Sequence, residues 1–174
     1  GTITKAIEVP VGEYWLMVFV NDTSGNRVNA TFKITVFDNT NPYWIPGAPD
    51  DNTAEYGEEF SYDLNAGDNY QINQFWLNDT DYFQIDSSDG EITNATVNVP
   101  IGVYWLKVSV NDTVGNYITA EFKITVNDTI EPQWNPEPED KNILLGEPLN
   151  YDLNADDKSN VIYGVSDTEN FTIN

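Results

Sequence analysis
The chain has no cysteine and no histidine among its 174 residues. Their absence excludes a disulfide framework, zinc held by cysteine or histidine, and any nucleophile activated by an imidazole. Basic residues are scarce as well: Lys and Arg number 7 against 29 Asp and Glu, for a formal charge of −22. A surface of that sign repels nucleic acid and anionic lipid and attracts cations. Long hydrophobic runs are also missing. The longest, Tyr14 to Val20, is far below the roughly 20 residues that a bilayer-spanning helix needs, so no membrane span is expected in this segment. Helical apolar spacing over three turns, G-x-S-x-G and phosphate-loop motifs are absent too. Nothing here predicts an enzyme. Without an initiating Met or a leader, the sequence reads as a mature product or a fragment.

What is present is a repeat. The run Y104-W-L-K-V-S-V-N-D-T-V-G-N116 is a near copy of Y14-W-L-M-V-F-V-N-D-T-S-G-N26, and F122-K-I-T-V126 copies F32-K-I-T-V36, each offset by 90 positions. A period of that length is one small β-domain, not a solenoid turn. Further matches set its phase: Pro42-Tyr43-Trp44 with Pro132-Gln133-Trp134, G57-E-E-F-S-Y-D-L-N-A66 with G146-E-P-L-N-Y-D-L-N-A155, and D79-T-D-Y-F-Q-I-D86 with D167-T-E-N-F-T-I-N174. Residues 42–131 therefore form one complete unit. Residues 1–41 are the C-terminal half of a unit and residues 132–174 the N-terminal half of another. Neither half can bury a core alone, and each is expected to be completed by the other half, either from a neighbouring copy or, where the 174 residues are a two-unit window of a longer repetitive chain, from the adjoining repeat of that chain.

Local patterning predicts β-structure throughout. In residues 102–111, Tyr104, Leu106, Val108 and Val110 alternate with Trp105, Lys107 and Ser109, the period of two that places the first set on one face. Phe122, Ile124 and Val126 alternate likewise with Lys123 and Thr125. Strands are predicted near 59–65, 70–78, 83–86, 91–97, 103–111 and 117–127, between turns rich in Asp, Asn and Gly. The fold class that follows is all-β: tandem Greek-key β-sandwich repeats of about 90 residues, with no helix of note. Pro42, Pro46 and Pro49, then Pro132, Pro136 and Pro138, mark stiff connectors between units. Trp44 and Trp134 read as anchors for those connectors.

The arrangement A66-G-D68, F83-Q-I-D-S-S-D-G-E-I-T93, G102-V-Y-W-L-K-V-S-V-N-D112 and F122-K-I-T-V-N-D128 resembles the cadherin-like and immunoglobulin-like tandem repeats of archaeal and bacterial surface proteins. The resemblance covers essentially the whole chain. It implies an extracellular module, adhesive or structural, stiffened by calcium at domain junctions. Asp38-Asn39-Thr40-Asn41-Pro42 is similar to the cadherin linker motif, with Asp68 and Asp157 where the next domain would add carboxylates. Asp112 closes the strand before the last hairpin, as Asp22 does one repeat earlier, and the second linker begins at Asp128. Hard oxygen ligands in this number suit calcium. The metal ligands expected are Asp38, Asn39, Asn41, Asp68, Asp112, Asp128 and Asp157.

Two further signals concern the surface. Asn-x-Thr sequons at Asn21, Asn29, Asn78, Asn94, Asn111, Asn127 and Asn170 predict N-linked glycans. Strand alternation leaves Trp15, Met17, Phe19 and Phe37 on an outer face where the complete unit has Trp105, Lys107, Ser109 and Asn127. An exposed apolar patch of that kind predicts an assembly interface. The function expected is a structural subunit of an extracellular filament, stalk or surface layer, built head to tail with other copies of itself. An adhesin ectodomain and a carbohydrate-binding accessory module are the alternatives.

Overall fold
The computed structural model describes residues 1–173 and contains no helix among them. In chain order the strands are β1 (Gly12–Asn21), β2 (Arg27–Val36), β3 (Tyr43–Ile45), β4 (Asn52–Glu55), β5 (Ser61–Asp63), β6 (Asn65–Gly67), β7 (Ile72–Leu77), β8 (Phe83–Ile85), β9 (Glu91–Asn94), β10 (Gly102–Asp112), β11 (Tyr117–Asn127), β12 (Gln133–Trp134) and β13 (Ala155–Asp156).

The long hairpin β10–β11 pairs Gly102 with Val126 through Asn111 with Tyr117 without a break. On its edges β7 pairs antiparallel with β10, and β4 pairs in parallel with β11. The resulting sheet, in the order β4-β11-β10-β7, faces a second sheet, β5-β9-β8. Strands from the front of the repeat thus flank strands from its back, and the core closes only when both halves are present. Leu106, Val108 and Val110 from β10 meet Phe122, Ile124 and Val126 from β11, Phe75 and Leu77 from β7, and Phe83 and Ile92 from the facing sheet, all buried. Among the described residues, every buried apolar side chain other than Pro42 lies between Trp44 and Val126.

Three details depart from the sequence reading. Residues 59–65 do not form one strand, because β5 pairs with β9 while β6 pairs with β3, and buried Leu64 marks the step between them. Strand β4 carries no apolar alternation and is parallel to β11; carboxylates at its ends hold it there. Asp51 accepts from the Lys123 N–H at 3.0 Å, and Glu55 from the N–H and hydroxyl of Thr129 at 2.7 and 2.8 Å. Ser109 stands on the outer face yet is buried, its hydroxyl 3.0 Å from that of Thr119 and its strand neighbour Trp76 beside it.

The half-units repeat this geometry without closing. Hairpin β1–β2 has the same register as β10–β11, Gly12 with Val36 through Asn21 with Arg27. Tyr14 donates to the Pro10 carbonyl at 2.8 Å as Tyr104 donates to that of Pro100 at 2.6 Å. In the front half, Trp134 and Tyr163 sit 6.2 Å apart and tilted by 38°, as Trp44 and Phe75 do at 6.3 Å. The N–H of Glu139 donates to the Tyr151 hydroxyl as that of Asp50 does to Tyr62. What differs is burial: Phe122 is 1% exposed and its counterpart Phe32 36%, while Phe83 is 0% and Phe171 45%.

Candidate cation site between consecutive repeats
The hairpin turns beginning at Asp22 and Asp112 share the spacing Asp-Thr-x-Gly-Asn. Gly115 adopts φ +101° and Gly25 φ +91°, a left-handed conformation that favours glycine and folds the turn back over the aspartate. Asp112 Oδ1 consequently accepts from the N–H groups of Val114, Gly115 and Asn116 at 2.9, 2.6 and 2.9 Å, and Oδ2 accepts from Asn116 Nδ2 at 2.6 Å. Burial pushes the Asp112 carboxyl up, but the Asn116 amide and the three backbone donors outweigh it and hold the group below the usual carboxylate range.

Asp38 follows β2 on the connector, and Asp68 follows β6. Carboxylate oxygens of Asp38, Asp68 and Asp112 lie within 4.8 Å of one another. Asp38 Oδ1 accepts from the Thr40 N–H at 3.0 Å and from Asn69 Nδ2 at 3.2 Å, and Asp68 Oδ2 from the Tyr70 N–H at 2.7 Å. These bonds fix the carboxylates and leave Asp38 Oδ2 and Asp68 Oδ1 sealed from solvent without a hydrogen-bond partner. Among the described residues none of the three aspartates makes an ion pair. Two ionised carboxylates at this separation repel by about 3 kcal/mol at an effective dielectric of ~20. A hard divalent cation converts that repulsion into attraction and gives the two orphaned oxygens a partner. The residues present therefore fit calcium: oxygen donors only, several of them carboxylates, from converging loops. Asp38 belongs to the preceding repeat, while Asp68 and Asp112 belong to the complete one. The site consequently spans their junction, and Asn116 Nδ2 adds a 3.4 Å contact to the Asp38 carbonyl.

The other expected ligands fall elsewhere. Asn39 and Asn41 are exposed, and among the described residues their side chains make no hydrogen bond. Asp128 and Asp157 occupy, at the second junction, the places of Asp38 and Asp68. Asp128 Oδ1 accepts from the Ile130 N–H at 3.3 Å, Asp157 Oδ1 from the Ser159 N–H at 2.7 Å, and Asp157 Oδ2 is buried without a partner. Lys158 replaces Asn69 and reaches instead to Glu58 and, at 2.9 Å, to the Gly57 carbonyl. Sequence reading missed the amides Asn69 and Asn116 that aim Asp38 and Asp112. The recurring Asp-x-x-x-Asn spacing was the available signal for Asn116.

The sequons differ in what their amides do. Asn21 and Asn127 are exposed, and among the described residues their side chains make no hydrogen bond. Asn29, Asn78 and Asn111 each accept through Oδ1, from Arg27, from the Lys107 N–H and from Asn73. Asn94 is engaged on both atoms: Oδ1 accepts from the Phe60 N–H at 3.1 Å, and Nδ2 donates to the Glu58 carbonyl at 2.9 Å. Asn170 Nδ2 donates to Asp167 at 2.9 Å. The outer-face residues Trp15, Met17, Phe19 and Phe37 are 58–71% exposed, and the Arg27 guanidinium lies 3.6 Å from the Phe19 ring centroid.

No protein-family model and no curated protein matches the chain. Solved structures do. Drosophila N-cadherin EC1-4 is 18% identical over 71% of this chain and 35% of its own length, with a TM-score of 0.44. A protocadherin gammaB7 EC3-6 cis-dimer structure is 14% identical over 73% of this chain and 36% of its own, TM-score 0.45. Fibronectin(III)-like modules of Clostridium thermocellum CbhA are 20% identical over 69% and 65%, TM-score 0.39. The chain spans about a third of the two cadherin structures. The likeness is one of fold class, a cadherin- and immunoglobulin-like sandwich, and the class itself rests on the strand pairing described above.

Proposed function
We propose that the chain is a structural segment of an extracellular array, in which sandwich repeats run head to tail and a divalent cation stiffens each junction. The observation that carries this reading is the meeting of Asp38 from one repeat with Asp68 and Asp112 from the next, two of the three keeping a buried oxygen without a partner. A site that takes ligands from both sides of a connector converts a hinge into a fixed angle when filled, which is what a load-bearing stalk or layer needs. The strict repetition and the acidic surface favour scaffolding over recognition of a ligand. Calcium is expected to raise the melting temperature of the complete repeat, by an amount equivalent to about 2.7 kcal/mol at 100 times the dissociation constant, and Asp68→Asn is expected to abolish the rise. Calorimetry in calcium and in chelator checks this; identical melting curves would remove the cation from the proposal.

The array is also read as N-glycosylated. A transferase acting on the folded chain is expected to modify Asn21 and Asn127, whose amides are free, and to leave Asn94 bare, because its Nδ2 is bound to the Glu58 carbonyl. Peptide mass mapping after expression in a glycosylating host reads the occupancy. Equal occupancy at Asn94 and Asn127 would overturn this ordering.

A further inference from the structure
Trp76 has no part in the core, the connectors or the cation site. Its strand neighbours Phe75 and Leu77 point inward and are buried, while Trp76 projects to the outer face opposite Ser109 and keeps 40% of its surface exposed. The sequon Asn78-Asp79-Thr80 begins two residues on, about 7 Å along the strand. Asn78 is exposed and carries the strand line past the end of β7. Its N–H donates to the Lys107 carbonyl at 3.1 Å, and its Oδ1 accepts from the Lys107 N–H at 2.7 Å. That second bond fixes the amide, and among the described residues Nδ2, the atom that carries an N-linked sugar, makes no hydrogen bond.

The next repeat supplies an independent observation. Counting back from the matched pair Asp79 and Asp167, Asn78 corresponds to Ser166 and Trp76 to Gly164, while Phe75 and Leu77 correspond to Tyr163 and Val165. The inward positions keep core residues, and the indole disappears together with the sequon. A requirement of the fold would have kept Trp76 as it keeps the side chains on either side. Resting on the N-glycosylation proposed above, we propose that Asn78 carries an N-linked glycan and that Trp76 is its docking plate, the indole stacking on the C–H face of the first pyranose rings. In the transfer, Nδ2 forms a bond to C1 of a lipid-phosphate-linked oligosaccharide, the C1–O bond to the phosphate breaks, and the amide proton goes to the transferase. Stacking then removes the ring face and the sugar C–H groups from water, and the tether keeps the sugar at high effective concentration over the ring. Strand β7 is an edge of its sheet, in the order β4-β11-β10-β7. A glycan laid back along it shields unpaired backbone groups from another chain.

The test uses the whole chain, made in a host whose core sugar is N-acetylglucosamine and trimmed to that one sugar by an endoglycosidase. Thr80→Ala removes the sugar from Asn78 and leaves its amide on Lys107. The sugar is expected to raise the melting temperature of the complete repeat by roughly 4 °C. Trp76→Leu is expected to abolish the rise, and Trp76→Tyr, which keeps a flat ring, to restore most of it. Hydroxyl-radical footprinting read by mass spectrometry is expected to show Trp76 oxidised severalfold less when the sugar is present, with Trp105, 66% exposed on the same face, unchanged. An occupied Asn78 that gives the same rise in Trp76→Leu, or leaves Trp76 equally oxidised, overturns the docking plate. Asn78 bare while Asn21 and Asn127 carry sugar overturns it too and leaves N-glycosylation standing; a chain bare at every sequon overturns both.

Discussion
Phe122→Ala is expected to lower the unfolding free energy of the complete repeat by about 3–5 kcal/mol, while Phe32→Ala, the same change one repeat earlier, costs less than about 1 kcal/mol in the 174-residue chain. Both side chains project from the second strand of the same hairpin, opposite Leu106 in one case and Leu16 in the other. Phe122 is 1% exposed and meets Tyr62 edge to face at 5.7 Å between ring centroids. Removing it leaves a cavity that the two sheets cannot close, in a domain whose whole stability is about 5–15 kcal/mol. Phe32 has no facing sheet. An isolated two-stranded hairpin is marginal by itself, so truncating one of its exposed rings removes little. Urea titration followed by tryptophan fluorescence separates the two variants at low protein concentration. Equal costs in dilute solution would mean that residues 1–41 bury their apolar face by some other route.

That contrast also shows what could be read in advance. The hairpin strands were legible because ten or more residues alternate without interruption, and a period of two over that length has one structural meaning. Of the inward set, Leu106, Val108, Val110, Phe122, Ile124 and Val126 are buried and Tyr104 is half-buried. Strand β4 was not legible, since Asn52-Thr-Ala-Glu55 holds its place through side-chain carboxylates at its ends and not through an apolar stripe. The break at Leu64 was hidden for a related reason: the chain changes sheet within a run whose composition stays uniform. For the candidate site, Asp38, Asp68 and Asp112 were found by their position relative to the strands, and the structure brings all three together. Which of their oxygens lacks a donor depends on Asn69, Thr40 and Tyr70 reaching across turns, and no spacing rule encodes that. The exposure of Asn39 and Asn41 likewise follows from the path of the connector and not from residue type.

Asp112→Ala is expected to destabilise the complete repeat by about 2–4 kcal/mol, because it strips the acceptor from three backbone N–H groups and from the Asn116 amide. Asp112→Asn should cost less, since its Oδ1 still serves the backbone donors, but its own amide would then confront Asn116 Nδ2, donor against donor. Either change removes a carboxylate from the cation site, so both variants should lose most of the stabilisation by calcium, which separates this role from the turn's mechanical one. The carboxyl group lies below its ordinary value in the folded chain, so the unfolded state binds the proton more readily. Its contribution is therefore fully present above the unfolded value near 3.8 and is lost as pH falls through the lower folded value. The stability difference between the native chain and Asp112→Asn should accordingly stay constant from neutral pH down to the ordinary carboxylate range and shrink below it. Comparing the two chains cancels the titration of the other acids, including Asp22, Asp86 and Asp167, which hydrogen bonds also lower. Calcium competes with protons for the same oxygens, so its presence should carry the acid limb to still lower pH in the native chain and leave the variant unmoved. Urea midpoints measured at several pH values, with calcium and with chelator, read both effects. A difference that widened on acidification would show that repulsion from Asp38 and Asp68, and not the turn's donors, governs this carboxylate.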